Sequence, residues 1–224
     1  IAVAWDEGIE RRRAKGKIHF LQARLHDDPV EGFTGIAHTR WATHGAPNET
    51  NAHPHMAGGV AVVHNGIIEN YRELREGLEA KGRVFESETD TEVIAQLIAQ
   101  NMAEGMDEVA AFGEALTHFT GAFAIAAIFA DKPDLVIGAR KGSPLVLGYG
   151  EGEMYLGSDA IALAPLTREV TYLEEGDWVI LTKTSFDIRN IRGDRVNRPR
   201  VTSAVNDALI ERGEYDHFML KEIH

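Results

Sequence analysis

Between positions 38 and 90 the sequence gathers the side chains that could do chemistry. His38, Arg40, Trp41, Thr43, His44, His53, His55 and His64 fall in one stretch, Asn65-Gly66 follows directly, and Asp90 precedes an apolar run. Arg40 offers a planar fork that takes a carboxylate bidentately. Thr43 and His44 add neutral donors beside it. Asp90, placed in the first turn of a helix, is favoured there as an anion and suits an ammonium group. An Asn amide and a Gly backbone N–H are the donors that hold a developing oxyanion. Together these groups describe an α-amino-acid substrate attacked at a carbonyl, which points to amide hydrolysis of glutamine or a relative.

Each group also has a plainer use. Asn-Gly after an apolar run is the strongest short signal for a two-residue β-hairpin. Five histidines, 38, 44, 53, 55 and 64, could converge on zinc or iron, although no helix-borne HExxH and no thiolate supports a metal site. His38, His53 and His55 are better read as groups that satisfy backbone partners in an irregular segment. Trp41 alone would be a core aromatic, and Asp90 alone would simply complement a helix dipole. The missing part is a nucleophile. The chain has no cysteine, and Ser143 in KGSPL and Ser158 in GSDA stand in turn-like settings outside any G-x-S-x-G context.

The elements that must position these residues follow from patterning. IAVAW and KIHFLQ read as short strands separated by the charged stretch DEGIERRRAKG. Residues 43–58 are rich in Pro, Gly and Asn and form a long loop, which in a domain of this size is often functional. A strand over 60–64 comes next. Asn70 then caps a helix with Tyr71, Leu74 and Leu78 on one face and Gly82 at its end. Thr89 and Glu92 form a capping box opening a second helix, with Val93, Ile94, Leu97 and Ile98 as its buried stripe. Val109, Phe112, Leu116 and Phe119 mark a third over 106–119. From Gly121 the pattern turns to seven short β-type runs at hairpin spacing, which implies antiparallel pairing. Among them SDAIALAPLT forms a short helix opened by Ser158 or Asp159, and the tail EYDHFMLKEIH looks helical.

At 224 residues the chain suits one α+β domain large enough to bury a core. Its net charge of −12 argues against non-specific nucleic-acid binding and against anionic membrane surfaces, and no apolar stretch reaches spanning length. The acidic balance fits a soluble, cytoplasmic enzyme.

HTRWATHG at 38–45, NAHPH at 51–55, HNGIIENY at 64–71, SETDTEVI at 87–94, GSPL at 142–145 and YDHFMLKEI at 215–223 resemble the glutaminase domain of the glutamine–fructose-6-phosphate aminotransferase (glucosamine-6-phosphate synthase) family. That family is of the N-terminal-nucleophile hydrolase type, shared with amidophosphoribosyltransferases. The resemblance implies a four-layer α/β/β/α sandwich with two mainly antiparallel sheets. It implies an N-terminal cysteine nucleophile with the chain's own α-amine as base, and no cofactor or metal. It places the glutamine α-carboxylate on Arg40 with Thr43 and His44 beside it, the α-ammonium on Asp90, and the oxyanion hole at Asn65 and Gly66. Trp41 would help close an ammonia path toward a sugar-phosphate isomerase domain, and the full enzyme would be a homodimer. Against that pattern IAVAW begins after the family's first strand and helix. Residues 1–214 are therefore expected to be an N-terminally incomplete glutaminase domain, with 215–224 starting a linker, and these 224 residues alone are expected to be inactive.

Overall fold

A computed structural model describes residues 1–41 and 44–205. The chain opens with a hairpin, β1 (Ala2–Trp5) and β2 (Gly8–Arg11), and continues into α1 (Ile18–Asp27) and β3 (Thr34–Ile36). An irregular stretch leads to β4 (His55–Ala57) and β5 (Val60–Ile68). Three helices follow, α2 (Tyr71–Ala80), α3 (Thr91–Ala103) and α4 (Glu108–His118). The rest is mainly strand: β6 (Gly121–Phe129), β7 (Lys132–Lys141), β8 (Val146–Tyr149), β9 (Met154–Gly157), the short α5 (Ala160–Leu163), β10 (Glu169–Tyr172), β11 (Trp178–Leu181), β12 (Phe186–Arg189) and β13 (Val201–Thr202).

Every strand pairing is antiparallel. One six-stranded sheet runs β12-β11-β7-β6-β5-β4, and its facing layer consists of two separate sheets, β2-β1-β3 and β13-β10-β8-β9. The alternation of side chains along β6 shows why the layers stack. Phe123, Ile125, Ala127 and Phe129 join Ile94, Ile98, Phe112 and Ala115 of α3 and α4 in one cluster. On the opposite face Ala124 packs with Leu145 and Leu147, and Ile128 packs with Ala2, Ala4 and Ile36. Outside the four-stranded sheet, Leu163 of α5 packs on Val146 and Val170. The order is thus helix, sheet, sheet, helix, and full burial of Phe112, Phe129, Ile94 and Ile98 stabilises its centre by roughly 1.5–3 kcal/mol each.

Local sequence signals hold with instructive exceptions. Asp107 and Asp159 cap α4 and α5 by accepting from Ala110 N and Ala162 N, both at 2.8 Å. Asn70 precedes α2 as expected, but its amide reaches across the fold: Nδ2 donates to His118 O at 2.8 Å and Oδ1 accepts from Thr120 N at 3.0 Å. Of the Thr89/Glu92 box only half forms. Thr89 Oγ1 accepts from Glu92 N at 3.4 Å, while the Glu92 carboxylate turns back to Glu86 N and Ser87 N. The KIHFLQ strand is overturned, because those residues enter α1. The helical tail and the linker boundary at 215 lie outside the described residues.

Candidate functional site

The site grows from an uneven sheet edge. β6 pairs with β5 along its whole length, from Val60↔Phe129 to Ile68↔Gly121, whereas β4 covers only Val60 to Val62 on the other side. Beyond Val62 that outer edge of β5 carries no strand among the described residues. Glu69 N donates to Thr120 O beside β6, while Ile68 N turns away and donates to Asp90 Oδ2 at 2.9 Å. Backbone N–H groups alternate along a strand, so Gly66 N–H points to the same open side as Ile68 N–H. Gly66 has φ +114°, and a Cβ there would sit 2.1 Å from Ala122 O. Only glycine fits this backbone. The hairpin reading of Asn65-Gly66 is therefore wrong: the pair lies inside β5, two residues before its end.

Asn65 points to the other face, the one on which Ala61 and Val63 meet β1 and β3. The segment leaving β3 carries His38 over this face, and His38 Nε2 lies 2.8 Å from Asn65 Oδ1. Asn65 itself is exposed.

Asp90 sits at the N-cap position of α3 without capping it. Its carboxylate is buried, with Oδ2 taken by Ile68 N–H and Oδ1 3.9 Å from His44 Nδ1. His64 lies behind, its Nδ1 3.0 Å from Thr91 Oγ1 and 3.9 Å from Asp90 Oδ2. Burial pushes the His64 imidazole down to about 4, against an opposing pull from the Asp90 charge.

Arg40, Trp41 and His44 close the other wall. The Arg40 guanidinium donates to Ala46 O at 2.9 Å, Gly45 O at 3.0 Å and His44 O, bracing its own loop. Of its five N–H donors, Nε and one hydrogen on Nη1 remain uncommitted among the described residues. Trp41 is 88% exposed, which rules out the core-aromatic role. His44 meets the Tyr71 ring edge-on at 5.3 Å. Thr43 lies outside the described residues.

These groups share one cavity of about 250 Å³, lined by His38, Arg40, Trp41, Asn65, Gly66 and Asp90 among others. A larger hollow of about 550 Å³ adjoins it through His38, Arg40 and His53. Of the two, Asn65, Gly66 and Asp90 line only the smaller one. Ser143 and Ser158 line neither.

The remaining histidines stack. His38 and His53 rings lie 4.1 Å apart, His53 and His55 5.2 Å apart, and His55 Nε2 meets Thr89 Oγ1 at 3.1 Å. Burial, and then the charges of Arg13 and Arg11, push His55 down to about 3, and burial lowers His53 further still. Among the described residues no group of three or more His, Cys, Asp or Glu side chains is arranged to hold a metal ion. The sequence favoured a loop-fixing part for His38 over a metal-ligating one. No local pattern in the sequence signalled its contact with Asn65.

A family model described as a glutamine amidotransferase domain matches residues 38–165, the segment that contains every described residue of the cavity's polar wall. The chain is 56% identical over 218 residues to a glutamine–fructose-6-phosphate aminotransferase (isomerizing) of Zymomonas mobilis, and 55% identical over 224 residues to one of Bradyrhizobium diazoefficiens. These alignments cover 97% and 99% of this chain but only 36% and 37% of the relatives, so the chain spans a little over a third of their length. Its fold is similar to that of a glutamine phosphoribosylpyrophosphate amidotransferase from B. subtilis, with a TM-score of 0.71 at 24% identity over 87% of this chain and 43% of that one. The chain belongs to the glutamine amidotransferase domain family.

Proposed function

We propose that this chain is the glutaminase half of a glutamine–fructose-6-phosphate aminotransferase. It releases ammonia from L-glutamine for delivery to an isomerase domain of the same longer protein, which makes glucosamine 6-phosphate. The observation that carries this is the convergence of Asn65, the Gly66 N–H direction and Asp90 on one cavity beside Arg40.

Asp90 Oδ1 receives the α-ammonium, and the free donors of Arg40 take the α-carboxylate, with Thr43 and His44 beside it. This orientation places the side-chain amide of glutamine toward Asn65 and Gly66. Their N–H donors hold the carbonyl oxygen as it becomes an oxyanion. One such donor is typically worth ~3 kcal/mol of transition-state stabilisation. The nucleophile is the N-terminal cysteine that the family resemblance implies, carried by the longer protein, with its own α-amine accepting the thiol proton. Residues 1–214 form the glutaminase domain and 215–224 begin the linker. No helix among the described residues is long and apolar enough to cross a membrane. The longer protein is proposed to work in the cytoplasm as a homodimer, as the family resemblance implies.

Incubation of the full-length protein with L-glutamine and fructose 6-phosphate tests this. Equal formation of glutamate and glucosamine 6-phosphate is expected. Binding of glutamine without glutamate formation, and without covalent labelling by a glutamine-mimicking electrophile, would instead mark a nucleophile-free binding module.

A further inference from the structure

We propose that His38 is a positioning residue for the oxyanion hole, holding the Asn65 amide in the one orientation that presents its N–H₂ group to the cavity. This rests on the proposed donor role of Asn65 in glutamine hydrolysis and adds what fixes that donor.

The contact between His38 Nε2 and Asn65 Oδ1 at 2.8 Å admits two proton arrangements. Either Nε2–H donates to the Asn65 carbonyl oxygen, or the amide is turned over and donates to a bare Nε2. The second places the ring proton on Nδ1, and His38 Nδ1 is buried without a hydrogen-bond partner among the described residues. A buried N–H left without an acceptor costs about 1–3 kcal/mol, whereas an unpaired lone pair costs less. Burial also lowers the His38 pKa, so the ring holds a single proton. That proton sits on Nε2. Asn65 Oδ1 then accepts it, and both Nδ2 hydrogens stay available, making no hydrogen bond among the described residues.

The ring is itself held. His53 stacks on it at 4.1 Å, His55 meets His53 at 5.2 Å, and Thr89, just before α3, bonds His55. The approach to α3 thus supports the same donor that α3 faces through Asp90. Without the His38 donor the amide is free to turn, bringing Oδ1 rather than Nδ2 against the negative charge.

The test is a double-mutant cycle in the full-length protein, read as steady-state glutaminase kinetics with thermal midpoints confirming the fold. His38→Leu is expected to lower kcat about tenfold to hundredfold with the KM for glutamine held within about twofold. His38→Gln, whose Nε2 can replace the imidazole donor, should recover most of that loss. In an Asn65→Ala background His38→Leu should cost almost nothing further. The same loss in both backgrounds, or an unchanged kcat in His38→Leu alone, would overturn the positioning role while leaving Asn65 as a donor. An unchanged kcat in Asn65→Ala would overturn the donor role, and this proposal with it.

Discussion

Ile68 donates its backbone N–H to Asp90 Oδ2 at 2.9 Å, tying the last residue of β5 to the start of α3. This bond aims the rest of the site. It holds Asp90 in the wall of the cavity that Gly66 also lines, while the pairing of β5 with β6 sets the alternation that turns the Gly66 N–H to the same side as Ile68 N–H. A carboxylate that would otherwise cap its own helix is committed across the fold instead, 22 residues from its partner.

On the proposed reading, Asp90 has separable structural and binding duties. Asp90→Asn keeps an oxygen for Ile68 N–H but loses the charge proposed to pair the substrate ammonium. The KM for glutamine should rise by about tenfold to hundredfold, since a hydrogen bond to a charged group is worth about 1.5–3 kcal/mol, with a smaller change in kcat. Asp90→Ala also strands the buried Ile68 N–H, at a further cost of about 1–3 kcal/mol of folding stability. Glutamine titration and urea unfolding of both variants check the separation.

Gly66→Ala should damage the fold as well as the hole. At φ +114°, with its Cβ 2.1 Å from Ala122 O, the substituted residue must push β5 from β6 or change its backbone. Strain of this kind costs about 1–3 kcal/mol, and the added displacement turns the N–H away. A lower unfolding midpoint and a fall in glutaminase kcat are expected together.

Acid should destabilise the folded protein through its buried histidines. His55 and His64 are pushed down to about 3 and about 4 in the native state, chiefly by burial, against an ordinary value of 6.5. Below pH 6.5 the unfolded chain binds protons that the native chain refuses. Their stabilising contribution is full above that pH and is lost as pH falls toward 4 and then 3, by about 1.4 kcal/mol per pH unit for each histidine. Urea midpoints at pH 7 and pH 5 should differ in that sense. An equal or higher midpoint at pH 5 would contradict the buried neutral cluster.

Trp41→Ala should leave stability within about 0.5 kcal/mol, as expected for an exposed side chain. If Trp41 helps retain ammonia, the ratio of glutamate formed to glucosamine 6-phosphate formed should rise above one in the full-length protein. A measured ratio that stays at one would remove Trp41 from the ammonia path.

Much of this architecture was legible because periodicity reports burial. The stripe of Val93, Ile94 and Ile98 and the strands after Gly121 face a core, and their patterns say so. KIHFLQ misled because Ile18 and Phe20 alternate over a short window, while Ile18, Leu21 and Leu25 follow the helical period only over a longer one. β2 was hidden because GIER is charged and half-buried along its whole length. In the site, Arg40, Asn65 and Asp90 could be named from residue chemistry. The hold of Ile68 on Asp90 and of His38 on Asn65 could not, because a backbone N–H has no residue signature and a bond across 27 positions leaves no local pattern.

The most direct test of the site is a crystal structure of the full-length protein with L-glutamate bound. The α-ammonium should lie ~3 Å from Asp90 Oδ1, the α-carboxylate at the Arg40 guanidinium, and a side-chain carboxylate oxygen within ~3 Å of both Asn65 Nδ2 and Gly66 N. Glutamate held elsewhere, or reversed so that its α-carboxylate meets Asn65 and Gly66, would contradict the assignment.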